Sequence, residues 1–514
     1  MTSHFYKSLL ILFLSISSSL AQTVNLDQMT EESLLEGIHL LNHLVSIPNN
    51  SHHPDQLHQN LDWCKENFEK RGWEVEELDT EGFPLLLTSF EVEGAEKTVL
   101  MYFHVDGQAV DPAKWKQENP YKPVLKEQNS EGDWEEISFD RLKDEFDPEW
   151  RIYGRSTSDD KGPLAMFLTA WDALSEMGRK PDYNLKIILD FEEEIGSPNL
   201  PDAVNKHADK LEADMMLIMD GPRHLSNEPT LSFGARGIAR VTLTTYGPKT
   251  PQHSGHYGNY APNPALNMSK LLGSMKDEQG RVIIMGFYDG IILSPEEKEI
   301  LAQVPDDETE IKSKLEIAAA DQVGDSYQEA LQYPSLNIRG LSAGWVGKEA
   351  RTIIPSEAIA ELDIRLVPES DPEKLFALLK SHIQNQGFFI TEENPTTDQR
   401  LEHPKIVKWE GEISYQAFRT PFDSEPGTWL RKAYQRAFAK EPIMIRMEGG
   451  SIPISPFIEA LDIPAVIVPT VNPDNNQHSP NENIRLGNYK EGIKTMLSIL
   501  SEPLTAEEKT QNER

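Results

Sequence analysis

One stretch constrains this chain more than any other. It is an apolar, strand-length run that ends in three consecutive glutamates, Ile188-Leu-Asp-Phe-Glu-Glu-Glu-Ile-Gly196. Adjacent carboxylates repel one another, and the run before them has the composition of a buried strand. Such a triplet is stable on a solvated loop or where a cation neutralises it. The decisive question is whether other segments deliver partners for a cation to the same place.

Three other segments end in the same way. Thr98-Val-Leu-Met-Tyr-Phe-His-Val-Asp106 reads as a buried strand that releases His104 and Asp106 into a glycine-containing loop. Arg151 to Asp160 reads as a short strand and turn carrying Asp159 and Asp160, and Ala213-Asp-Met-Met-Leu-Ile-Met-Asp220 as a further strand ending in Asp220. Between them lie helical patterns at Lys161–Gly178, with Pro163 in the first turn, and at Leu200–Leu211, after two opening helices over Glu31–Val45 and Leu57–Gly72. Strand and helix alternate, which argues for an α/β domain with a mostly parallel sheet, whose ligands gather at the carboxyl ends of the strands. Each acid or histidine alone is more often structural than functional. Together, at successive strand ends of one sheet, they converge on a single crevice.

From Thr230 the texture changes to alternating β-branched strands such as Ile238–Tyr246 and Ala358–Val367, with helices after Pro264 and over Pro372–Gln386. This predicts an α+β domain inserted into the first. The charged stretch 276–330, with Pro305-Asp-Asp-Glu-Thr-Glu310, reads as a solvated surface arm, and residues 111–150 as a long excursion without clear period. The α/β texture returns with a helix over Gly427–Ala439 and a strand over Pro464–Val471. The expected organisation is 22–232 and 421–514 as two parts of one catalytic domain, with 233–420 as an inserted lid and dimerisation domain.

Bulk composition excludes some partners. The 84 acidic against 49 basic side chains leave a net charge of −35, which repels nucleic acid and anionic membrane surfaces. Lys7, the apolar Leu9–Leu14 and the Ser-rich stretch ending Ser19-Leu-Ala21 read as a signal peptide over 1–21, with export to the periplasm or outside the cell after cleavage near Ala21. No segment reaches the ~20 apolar residues of a membrane span. With Cys64 as the one cysteine, no intramolecular disulfide forms, and the fold must hold by its core.

Seven separated blocks, in order, carry a resemblance. His104-Val-Asp106, Tyr153-Gly-Arg-Ser-Thr-Ser-Asp159-Asp-Lys-Gly162, Glu193-Glu-Ile-Gly-Ser197, Met219-Asp220-Gly, His253-Ser-Gly255, Glu448-Gly-Gly-Ser-Ile-Pro453 and Gln477-His478-Ser resemble the M20 family of di-zinc peptidases, most of all its carnosinase-like dipeptidase branch. The resemblance implies two Zn²⁺ per subunit, with Mn²⁺ or Co²⁺ as alternatives. Asp159 would be shared, His104 and Asp220 would hold one ion, and Glu194 and His478 the other. It implies Glu193 as general base for the attacking water, Asp106 as the carboxylate that fixes the His104 tautomer, and His253 as an oxyanion-stabilising residue acting in the partner subunit of a homodimer. Arg365 resembles the clamp for a dipeptide's terminal carboxylate, and Thr352, His403 and Ser451 fall at positions resembling further substrate contacts. Glu192 and Asp160 read as structural. Two other readings stand beside the dipeptidase: an N-acyl amino acid deacylase or desuccinylase of the same family, and a non-catalytic binding protein on a peptidase fold. The second would have lost a ligand or the base, and all of these residues are present.

Overall fold

The computed structural model describes residues 25–504. The expected signal peptide over 1–21 lies outside the described residues. Among those described, no helix is long and apolar enough to cross a membrane.

The alternation of apolar runs builds an eight-stranded sheet. Its spatial order is Glu74–Leu78, Leu85–Phe90, Asn184–Asp190, Thr98–His104, Met215–Ile218, Ala465–Ile467, Thr230–Ser232 and Ile443–Ile445. The four central strands, from Asn184–Asp190 to Ala465–Ile467, run parallel. They are buried on both faces, as the continuous Val, Leu, Ile and Met composition requires. Helices Leu26–Val45, Lys161–Glu176, Glu425–Phe438 and Leu486–Ser501 cover one face. Helices Leu200–Lys206, Ala208–Leu211 and Ser455–Leu461 cover the other. The Leu26–Val45 helix opens on Asn25, whose side chain accepts the Gln28 N–H. At its far end the wholly buried Lys161 donates to the carbonyls of Leu44 and Ile47. The residue that follows the paired aspartates therefore anchors the start of the Lys161–Glu176 helix to the helix beside it.

Every strand of a second, five-stranded sheet comes from residues 237–415. The order is Ser335–Ser342, Glu357–Leu366, Gly237–Tyr246, Ile406–Tyr415 and Phe389–Thr391, antiparallel except for the last pair. Helices Pro264–Gly273 and Pro372–Asn385 pack on it around a core of its own that includes Leu243, Met268, Leu362 and Leu379. The chain then returns to the first sheet through Ile443–Ile445 and Ala465–Ile467.

Two stretches differ from the sequence reading. Within 111–150, strands Val124–Gln128 and Trp134–Ile137 form a hairpin that joins Arg151–Tyr153 and Asn483–Arg485 in a four-stranded sheet. Its period was masked because Arg151 and Lys126 lie over the rings of Trp134 and Tyr153, so that charged residues carry its packing. The arm 276–330 is also not wholly solvated. It carries helices Pro295–Leu301 and Glu308–Lys314, and reaches the catalytic part through His224–Asp306 (3.0 Å) and the Glu297–Arg446 ion pair.

Cys64 is fully buried in the helical layer, and burial pushes its thiol up to about 12. The native protein is expected to resist an aromatic disulfide reagent at pH 8 and to release one thiol per chain on unfolding in guanidinium. Rapid labelling of the native state would show that this layer is open.

Candidate active site

The parallel strands deliver their termini together. His104 closes its strand directly opposite Asp190 in the neighbouring one, and Asp220 follows the adjacent Met215–Ile218 by two residues. Asp159 arrives from the turn before the Lys161–Glu176 helix, joined to Asp160 by a cis peptide bond. Glu193 and Glu194 occupy a 3₁₀ turn, Glu193–Ile195, which Gly196 closes at φ +87°, a conformation that glycine adopts without the cost of a Cβ. Asp190 shapes this turn. One of its oxygens accepts the Glu192 N–H (2.9 Å), and the other accepts the hydroxyls of Tyr102 (3.1 Å) and Ser197 (2.6 Å).

The result is two groups of donor atoms that share one carboxylate. Those of His104, Asp159 and Asp220 lie within 4.8 Å of one another, and so do those of Asp159, Glu194 and His478. His104 Nε2 faces Asp159 Oδ1 at 2.9 Å, while His478 Nε2 lies 2.9 Å from Asp159 Oδ2 and 3.1 Å from Glu194 Oε2. Asp159 Oδ2 is buried and faces His478 Nε2 without the alignment of a hydrogen bond, where the second group meets the first. A buried carboxylate oxygen without an aligned donor is costly unless something outside the chain satisfies it. A set of imidazole and carboxylate donors without thiolate fits zinc, manganese or cobalt. On both counts the residues present fit a pair of divalent cations.

Around these donors stands a layer that fixes their orientation. Asp106 touches both groups, with Oδ1 3.3 Å from His104 Nδ1 and Oδ2 accepting the Glu194 N–H at 3.0 Å. Gln108 donates to Glu194 Oε2 at 2.8 Å. Glu482, fully buried, accepts the backbone N–H groups of Ser156, Ser158 and Asp159 and pairs with Arg155 at 2.7 Å. It therefore holds the whole turn that presents Asp159. The sequence reading missed Glu482, because a single glutamate in an Asn-Glu-Asn loop carries no motif. Glu192 accepts from Asn199, away from the donors, and Asp160 accepts the His104 N–H at 3.4 Å.

Charge explains why the cluster calls for cations. Burial, then the nearby Asp159, raises Asp220 to about 6, and burial also lifts Asp106 to about 6 against the pull of His104. Burial pushes Glu193 well above the usual carboxylate range; His104 opposes this, while Asp220, Glu194 and Asp159 add to it. Burial opposes ionisation of Asp159 too, but His104 and His478 outweigh it and hold Asp159 below the usual range. Asp159, followed by Glu194, raises His478 to about 11. Without cations, protons must occupy a site built from this many acids.

On the lid side, Arg365 donates to Ser451 Oγ at 2.6 Å, so these two expected substrate contacts meet across the boundary between the sheets. Thr352 and His253 also lie together, since Ser254 N donates to the Thr352 carbonyl and His253 pairs with Ile353. Both are exposed, and neither hydrogen-bonds to any residue of the carboxylate cluster in its own chain. His403 stands apart from the cluster of its own chain. Its ring stacks flat on Phe389, with centroids 3.8 Å apart and planes at 7°. Phe389 pairs with Ile406, at the start of the Ile406–Tyr415 strand, and the site lies at the Tyr415 end. Nine residues of strand, at ~3.3 Å each, separate the two ends by roughly 30 Å. The sequence around His403 offered nothing to signal that its ring completes an apolar contact.

Comparison with known proteins accords with this geometry. Residues 100–502 match peptidase family M20/M25/M40. The Cys-Gly metallodipeptidase dug1 of Schizosaccharomyces pombe is 27% identical over 448 residues, covering 85% of this chain and 86% of that protein. The human Beta-Ala-His dipeptidase is 26% identical over 430 residues, covering 82% and 77%. Among solved structures, the M20 family metallo-carboxypeptidase Sso-CP2 from Sulfolobus solfataricus superposes with a TM-score of 0.74 at 30% identity, covering 90% of this chain and 98% of that one. The chain belongs to peptidase family M20 and is a metallopeptidase, a hydrolase.

Glu482 generates a specific expectation. Glu482→Gln removes the charge that Arg155 and three backbone N–H groups converge on. It should weaken metal binding about 10–100-fold and lower stability by about 3–5 kcal/mol, because Arg155 is left buried and unpaired. Metal titration and thermal melting measure the two effects. Unchanged metal affinity would show that the Asp159 turn holds its shape without Glu482.

Proposed function

We propose that this chain is an exported, homodimeric dipeptidase that uses two zinc ions, with manganese or cobalt accepted in their place. The observation that carries this reading is the shared carboxylate: Asp159 stands between two donor groups, with Glu193 beside Glu194 in the same turn. Zinc bound there would polarise a carbonyl and make water a stronger nucleophile at neutral pH. The remaining steps belong to the chain. Glu193 diverges from Glu194 at the next position of the turn; it takes the proton of the attacking water and returns it to the leaving amine. Asp106 holds the His104 ring through Nδ1, which leaves Nε2 facing the cluster. Arg365, braced by Ser451, offers a guanidinium fork suited to a terminal carboxylate. That arrangement favours substrates ending in a free carboxylate one residue past the scissile bond, and the Cys-Gly and Beta-Ala-His specificities named for two relatives point the same way.

Dimerisation is supported by the lid. Its edge strand Ser335–Ser342 exposes Ile338 and Leu341, and Tyr260 and Leu266 are exposed nearby in sequence to His253. An uncovered edge with apolar side chains is a ready template for pairing with a second copy. In the dimer, His253 of one subunit stabilises the oxyanion in its partner. Export rests on Lys7, the apolar Leu9–Leu14 and Ala21, and places the mature amino terminus near Gln22.

The test pairs a variant with a substrate panel of Ala-Xaa, Cys-Gly and β-Ala-His dipeptides beside N-acetyl amino acids. Glu193→Ala should keep its metal content and lose about 10²–10⁴-fold in kcat on dipeptides. Near-normal turnover would remove Glu193 from its role, and cleavage confined to the acetylated amino acids would favour the deacylase reading. Mixing inactive Glu193→Ala with inactive His253→Ala subunits should restore activity in the heterodimers. No recovery would mean that His253 does not act across the interface.

A further inference from the structure

The strand Ile406–Tyr415 pairs residue for residue with Gly237–Tyr246 until its last step. Ile413 stands opposite Ala239 and Tyr415 opposite Ile238, so Ser414 is the extra residue of a β-bulge. A bulge re-aims the side chain beside it and is common next to active sites. Ile238 is flanked on its other side by Arg365, so Arg365, Ile238 and Tyr415 form a row across three strands. Side chains in one row share a face of the sheet, and two strand spacings separate the outer pair by ~10 Å. Ser451 fills the gap between them. It accepts from Arg365 at 2.6 Å, its hydroxyl lies 3.3 Å from the Gly237 carbonyl, and it faces the Tyr415 side chain.

Two features define what this gap receives. First, guanidinium groups flank it on the Arg365 side, where Ser335 pairs with Arg365. Arg236 is buried, its Nε has no partner, and its side chain reaches only Ser335; the acid nearest Arg365 is Asp363, at 3.8 Å. Second, Tyr415 lies within electrostatic reach of both Glu193 and Arg365. One extended residue spans only ~3.3–3.6 Å, so a dipeptide's scissile carbonyl and terminal carboxylate are close neighbours. A side chain that faces both Glu193 and Arg365 stands over the residue between them.

We propose that Tyr415 is a substrate-contacting specificity residue, whose hydroxyl donates a hydrogen bond to the terminal carboxylate on the side away from the Arg365 fork. The inference rests on the dipeptidase reading and deepens it. No covalent step is involved. Tyr415 turns from Ser451 to the incoming carboxylate, and Ser451 keeps its bond to Arg365. The Ser414 bulge is what aims it there.

The experiment compares wild type with Tyr415→Phe, each metal-loaded, on a dipeptide and on the same dipeptide as its C-terminal amide. A hydrogen bond to a charged group of this kind corresponds to about tenfold to a hundredfold in binding. The expected result is a rise of that size in KM for the free acid, with kcat within about twofold, and a similar kcat/KM of the two proteins on the amide. Metal content and melting temperature should match, because the ring remains. An equal loss on acid and amide would reduce Tyr415 to a packing role, and an unchanged KM on the acid would overturn the contact outright. A wild type that cleaves no dipeptide at all would overturn the dipeptidase reading and this inference with it.

Discussion

The structure turns on the surplus of carboxylates over positive charge at one end of a parallel sheet. Asp106, Asp159, Asp160, Glu193, Glu194 and Asp220 approach one another with, among the described residues, only His104 and His478 between them. Water cannot screen most of these groups, since His104, Asp106 and Asp160 are fully buried and Asp159 and Asp220 nearly so. The fold tolerates the surplus by spending its own polar groups on fixing each acid in place and by setting a histidine against each oxygen of Asp159. Divalent cations would complete this arrangement, and would also explain why strands as apolar as Thr98–His104 and Met215–Ile218 end in charged residues.

Elements far apart in sequence must cooperate to hold the geometry. His104 and Glu194 depend on Asp106, which contacts the ring of one and the backbone of the other. Asp159 depends on Glu482, more than three hundred residues later, through three backbone N–H groups. His478 reaches the cluster from a loop in which it adopts φ +58°, uncommon for a residue with a Cβ. Because that loop also carries Glu482, the last part of the chain both donates a ligand atom and braces the shared carboxylate.

Much of this was legible in the sequence because the physics is local. A buried strand announces itself by composition, and the residue after its last apolar position is where a parallel sheet exposes chemistry. Hence His104, Asp220 and the glutamate triplet were found from texture, while His478 and the division of ligands came from resemblance. What was not legible depends on long-range register. Glu482 acts through the N–H groups of residues 156–159, which no spacing reveals. Tyr415 is aimed by a one-residue bulge at Ser414, and a one-residue shift flips every side chain beyond it. The stacking of His403 on Phe389 was hidden for the same reason, since it depends on which strands lie side by side. The hairpin within 111–150 escaped notice because its packing uses the stems of Lys126 and Arg151 rather than an apolar stripe.

The central claim is that Asp159 joins two cations, and the most direct measurement is anomalous diffraction from crystals of the zinc-loaded protein. The account predicts two peaks per chain about 3.5–4 Å apart, one beside His104 and Asp220, the other beside Glu194 and His478, with Asp159 touching both. A single peak, or two peaks that do not share Asp159, would contradict it.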